Sequence, residues 1–177
     1  MKKKLFTMIA ALAITFGLSN SVHAQTTVRS IAVTVELKDI IGISPTTPTG
    51  SSLVEFLYET AAQYNSDQTS TITDQFRITA TKAYDVFLKG SGPFVGQTTS
   101  SNTLDLNILA VSARPGPSGT LQTAVVPTTS DQLLITNSPA ALDQSFDVSY
   151  KIAKNPVLLT SVKQKYATTL TLSVAAH

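Results

Sequence analysis

The sequence predicts an all-β protein, a single antiparallel sandwich of about nine short strands. Three observations lead there. Apolar residues recur at every second position in run after run, and long stripes of 3.6-residue period are hard to find. β-Branched and aromatic residues fill one parity of those runs, as a half-buried sheet face requires. Clusters of Pro, Gly, Asn and Ser separate the runs at short intervals, the punctuation of a sandwich.

The segment before the first strand reads differently. Met1-Lys2-Lys3-Lys4 is followed by 14 uncharged, mainly apolar residues, Leu5 to Leu18, then by polar Ser19-Asn20-Ser21 and the small-residue site Val22-His23-Ala24. That order is the layout of a secretory signal peptide over residues 1–24, cleaved before Gln25. The apolar run is shorter than the ~20 residues of a membrane-spanning helix, which argues against a retained anchor. No cysteine stands at the cleavage site, so lipid attachment there is ruled out. The expected location is the periplasm, the cell surface or the extracellular space.

Cleavage leaves 153 of the 177 residues, 25–177, enough for one domain with its own core. It also removes Lys2, Lys3 and Lys4, so ten basic residues face 11 acids and the formal charge moves from +2 to −1. The basic character of the whole chain thus belongs to the targeting segment. No cationic patch remains to hold phosphates, which excludes a nucleic-acid partner on this reading, and no membrane insertion is expected after cleavage.

Taken in order, Val28 to Leu37 places Ile31, Val33, Val35 and Leu37 on one face, and it runs on into Ile40-Ile41-Gly42-Ile43. Ser44 to Ser51, with Pro45, Pro48 and Gly50, reads as a loop. Val54, Phe56 and Tyr58 alternate as a strand, although Leu57, Ala61 and Ala62 also permit a short helix over 55–63. Phe76, Ile78 and Ala80 define the next strand; Tyr84, Val86 and Leu88 define its neighbour across a tight turn at Lys82-Ala83. Leu104, Leu106, Ile108 and Ala110 alternate before the loop Arg114 to Gly119, and 121–126 and 132–136 are short strand candidates. Phe146, Val148, Tyr150 and Ile152 alternate clearly, a loop covers 154–165, and Leu170, Leu172 and Val174 share one face of the final strand.

Cysteine is absent, and the two histidines are His23, in the signal segment, and His177, the last residue. Thiol chemistry, a Ser-His-Asp arrangement and a His/Cys zinc site therefore lack their residues. No enzyme and no cofactor are expected. A calcium loop of the Asp-x-Asp-x-Asp-Gly kind is missing, and Asp67 with Asp74, or Asp143 with Asp147, reads as solvated loop acids. Eleven acids give no reason to select a catalytic carboxylate pair. Tyr58, Tyr64, Tyr84, Tyr150 and Tyr166 could form a sugar-stacking platform, but aromatics at strand parity more often pack in the core. The Arg114–Gly119 turn is an exposed candidate interaction loop.

The ending Phe146-Asp147-Val148-Ser149-Tyr150, then Tyr166-Ala167-Thr168-Thr169-Leu170-Thr171-Leu172-Ser173-Val174, resembles the small secreted Ig-like sandwich proteins that include the spore coat U and fimbrial subunit families. The stretch Phe76 to Lys89 is similar to the central strand pair of hypothetical secreted proteins from Bacteroidetes. The resemblance implies an Ig-like sandwich working as a subunit of a surface fibre or coat.

Two functional readings follow. In the first, the protein is a secreted structural or adhesive subunit that pairs strands with copies of itself or related subunits. The alternating face Ile31, Val33, Val35 and Leu37 would serve as an exchangeable strand, with 25–50 supplying strand and hinge, and Leu170, Leu172 and Val174 as the closing strand. The plainer reading of the same N-terminal residues is the domain's own first strand. In the second, the protein is a monomeric extracellular module that binds a glycan or a surface protein.

Overall fold

The computed structural model describes residues 32–45 and 53–177. The chain divides into two units, residues 1–36 and 37–177. Of the first, residues 32–36 are described, and each is exposed and outside any strand.

The second unit is all-β and sandwich-like. Its described residues form ten strands: β1 (Ile41–Pro45), β2 (Gln68–Ala80), β3 (Tyr84–Gly90), β4 (Phe94–Gly96), β5 (Thr103–Leu104), β6 (Leu109–Pro115), β7 (Gln132–Ser138), β8 (Ala141–Ile152), β9 (Tyr166–Ala167) and β10 (Leu170–Ala176). Two short helices interrupt them, α1 (Ala61–Tyr64) and α2 (Pro156–Thr160). One sheet has the order β1-β2-β8-β6, a second β10-β3-β7, and a small third β5-β4-β9. Every pairing is antiparallel.

The first two sheets share one core, and strand parity says why. Phe76, Ile78 and Ala80 of β2, Val111 and Ala113 of β6, and Phe146, Val148, Tyr150 and Ile152 of β8 point inward from one sheet. Tyr84, Val86 and Leu88 of β3 with Leu134 and Ile135 of β7 meet them from the other. Phe76 stacks on Phe146 across the β2–β8 pair, with centroids 5.0 Å apart and rings 12° from parallel. Each buried Val, Leu, Ile or Phe among them contributes about 1.5–3 kcal/mol by leaving water.

Several expectations are corrected. Residues 32–40 form no strand; the first ladder is β1, which runs through Ser44 to Pro45 where a loop was expected. Val54, Phe56 and Tyr58 do alternate inward against the core, yet belong to no sheet. The helix that follows is a single turn at 61–64, fixed by a capping box in which Thr60 and Gln63 exchange side chain-to-backbone hydrogen bonds. The expected parity holds for Leu104, Leu106 and Ile108, which are buried, and fails at Ala110. Asp105 caps a 3₁₀ turn, Leu106–Ile108, which shifts the chain so that Leu109, Val111 and Ala113 point inward instead. Of 121–126 only a bridge at Val125 pairs. The final run splits: Tyr166 joins β4 in the small sheet, whereas Leu170 onward pairs with β3.

Candidate functional site

The two sides of the sandwich differ at their edges, and the site is the difference. On one side β6 lies against β8 through Val111↔Tyr150. Its outer edge is taken as well: the Val111 amide donates to Val125 O at 2.8 Å, the Val125 amide donates back at 2.7 Å, and the Gln122 amide donates to Ala113 O at 2.8 Å. Inner residues there, Leu109, Val111, Ala113, Leu134 and Ile135, are all buried.

On the other side β10 pairs with β3 from Leu170↔Gly90 to Ala176↔Tyr84, and no described strand pairs with its outer edge. Leu170, Leu172 and Val174 pack against the core but stay only half-buried. Facing them across the sandwich, Ile43 of β1 is half-buried and Ile41 is 40% exposed. Where the two strands approach, Ile40, Ile41, Ala80, Thr81 and Ala176 line a cleft of about 120 Å³. Hydrogen bonds hold this end: the Thr81 amide donates to Ile40 O at 3.0 Å and the Ile40 amide to Thr81 Oγ1 at 3.0 Å. Lys82 Nζ lies 2.5 Å from Asp39 Oδ2 and holds that carboxyl below its ordinary pKa.

The end of β10 is pinned to its own sheet. The His177 amide donates to Ala83 O at 2.8 Å, and its Nε2 lies 3.0 Å from Asp85 Oδ1. Asp85 also accepts the amide of Asn137 at 2.7 Å, a residue in the left-handed region at φ 47°. That amide and, after it, the imidazole hold the Asp85 carboxyl below the ordinary carboxylate value.

The sequence-derived site residues fall into two groups. Ile31 lies outside the described residues. Val33, Val35 and Leu37 are 82, 76 and 89% exposed, in chain without strand, helix, turn or bend from 32 to 40. Leu170, Leu172 and Val174 form the half-covered face of the open edge. The five tyrosines do not gather. Tyr84 and Tyr150 are in the core, where burial raises both phenols, and Tyr58 and Tyr64 make a tilted pair at 5.1 Å with Lys163 over the Tyr64 ring. Among the described residues no three His, Cys, Asp or Glu side chains are placed to hold a metal ion, and no helix is long and apolar enough to cross a membrane.

Asp147 is not a solvated loop acid but a buried residue of β8, 3% exposed. It accepts Arg114 Nε at 3.1 Å and a second guanidinium nitrogen at 3.0 Å, across the β6–β8 pair. Its other oxygen accepts the Asp74 amide at 2.9 Å, at the point where β2 carries two more residues than β8 between Ile72 and Phe76. A second bulge lies where Asp143 of β8 turns left-handed at φ 57°. Arg77 spans both, binding Asp74 at 2.7 and 3.0 Å and Asp143 at 2.6 Å. The sequence held the charges but no register, and register is what sets Arg114 opposite Asp147. This cluster shapes the outer face of the sheet by fixing two bulges.

A shallow depression of about 310 Å³ lies between Ser91-Gly92-Pro93 and Ala167-Thr168-Thr169. The Ser91 and Thr168 hydroxyls in it are engaged with backbone: Thr168 Oγ1 donates to Gly92 O at 2.8 Å and Ser91 Oγ accepts the Thr169 amide at 3.3 Å.

No protein-family model matches the chain, and no curated protein matches it.

Proposed function

We propose that the protein is an exported structural subunit of the cell surface that assembles with copies of itself or related subunits by pairing β-strands. The observation that carries this reading is the described N-terminal stretch, 32–40. It is exposed, belongs to no strand, helix, turn or bend, and carries Val33, Val35 and Leu37 at the two-residue spacing of a sheet's inner face. Three apolar side chains left in water at strand spacing favour a partner that covers them. The half-covered row Leu170, Leu172 and Val174, on an edge that no described strand pairs with, is a surface of the same chemistry. The residue types present support association rather than catalysis as the mechanism.

The test is a gel of cell-surface extract from cells making the full-length chain, unboiled beside boiled. A ladder that collapses on heating is expected, since strand-paired subunits are joined by hydrogen bonds and apolar contact alone. A single band at monomer mass in both lanes would overturn the reading, and glycan or surface-protein binding by a monomer would take its place.

A further inference from the structure

Independently of that reading, we infer that residues 53–59 form a strap that lifts off the core as one unit, turning about the capped helix α1, while both main sheets stay paired.

The strap is inserted but not laddered. Val54, Phe56 and Tyr58 pack against the core at every second position, yet all three stay half-buried. No backbone hydrogen bond joins 54–58 to another described residue. β1 shows the contrast: it has five residues, and each of them is paired with β2. The strap's outward residues are no better covered, since Leu53 and Leu57 are 60 and 62% exposed. Glu55, between them, meets Lys165 at 2.6 Å, but both side chains are more than half exposed, and such a pair holds weakly in water. The Tyr58 hydroxyl is buried without a hydrogen-bond partner, which disfavours the closed position further.

Holding a segment in place costs conformational entropy at every residue. A core strand offsets that with ladder hydrogen bonds and a fully buried face; the strap has three half-buried side chains instead. It belongs with the elements that open locally, at a free energy below that of global unfolding. The pivot is set by hydrogen bonds. Gln63 Oε1 accepts the amides of Glu59 at 2.7 Å and Thr60 at 2.8 Å, which ties the end of the strap to α1. Beyond that turn, Gln68 enters β2 in register with Ile152 of β8. Lifting the strap thus breaks no ladder. It brings the interior covered by Val54, Phe56 and Tyr58 into contact with solvent while the sheets persist.

The absence of cysteine makes the test clean. Full-length V54C and F56C report from the strap, and V86C, at a fully buried position of β3, reports from the core; V148C takes its place if V86C does not fold. The rate at which each thiol reacts with a soluble aromatic disulfide reagent is followed in urea concentrations below the unfolding transition. The strap thiols are expected to react at least about a hundredfold faster than the core thiol. Their rates should rise with urea along one shared slope, above zero and well below that of V86C, because the slope follows the surface exposed on opening. Q63A, which frees the pivot, should speed both strap thiols about tenfold and leave the core thiol unchanged. A zero slope at 54 and 56 would mean that both thiols are reached in the closed state. The slope of V86C would mean that they appear only on global unfolding, and two different slopes would mean fraying residue by residue. Each of these three results overturns the strap. A Q63A chain whose strap thiols reacted at the parent rate would remove α1 as its pivot.

Discussion

The closed and open sides of the sandwich are built from similar strands and end in opposite states. Beside β6, chain from the 120s returns to satisfy the outer backbone groups, and Val111 and Ala113 lose all contact with water. Beside β10 the strand is as long, seven residues, yet its inward row remains half-buried and its outer edge is unpaired among the described residues. Hydrophobicity does not separate them; Leu170, Leu172 and Val174 are as apolar as Leu109, Val111 and Ala113. What differs is whether a further segment lies alongside. The sandwich is thus closed on one side and, among the described residues, open on the other.

The comparison breaks first at the shared core. Phe146→Ala removes a fully buried ring stacked on Phe76 and is expected to lower unfolding stability by about 3–5 kcal/mol, read by urea melts of the full chain. Both sides should fail together, because the core belongs to both sheets. A loss under about 1 kcal/mol would mean that the two sheets do not share a cooperative core.

Next comes the closed side's ion pair. Arg114→Met takes the guanidinium from the buried Asp147 carboxylate and leaves it the Asp74 amide as a donor, which is expected to cost about 2–3 kcal/mol. Leu172→Ala, on the open side, removes a half-buried side chain and should cost about 1–2 kcal/mol in the monomer. Its larger effect should be on the ladder. If the two variants reversed order in the melts, the open edge would be the better packed of the two.

How far this was legible in the sequence follows the same divide. Strand interiors were: Phe76/Ile78/Ala80, Tyr84/Val86/Leu88 and Phe146/Val148/Tyr150/Ile152 all point inward at the expected parity, because two-residue alternation is local. The 104–110 parity held through Ile108 and slipped by one residue after the 3₁₀ turn, at Ala110, and the strand expected at 121–126 shrank to one bridge. The Asp147–Arg114 pair was illegible, since the two residues meet through register between strands 33 positions apart. For the site, the apolar spacing of 33–37 and 170–174 was readable. Which of those rows was covered was not, because coverage depends on what the rest of the chain lays beside it.

A smaller effect tests the pin at the end of β10. The Asp85 carboxyl is held below its ordinary value by the Asn137 amide and then by His177. A lowered folded pKa contributes stability above the unfolded value, near 3.8, that is lost as pH falls through the folded one. Asp85→Asn should thus be slightly less stable than the parent at pH 7, and the gap in Tm should close below about pH 4. A gap that persisted unchanged at pH 2.5 would assign Asp85 a role in packing rather than as a charged acceptor.

The last substitution separates folding from assembly. Val35 is exposed and lies in no strand, so Val35→Asp should leave the melt within about 0.5 kcal/mol of the parent. If residues 33–37 pair with a second copy as proposed, the same carboxylate would be buried against an apolar face, unpaired and out of water, a cost of several kcal/mol per contact. The ladder should therefore disappear while each copy stays folded. Val35→Ile keeps the shape and should retain the ladder, which guards against a loss of export being misread as a loss of pairing. A stable Val35→Asp chain that still formed the ladder would show that residues 33–37 are not what the copies share.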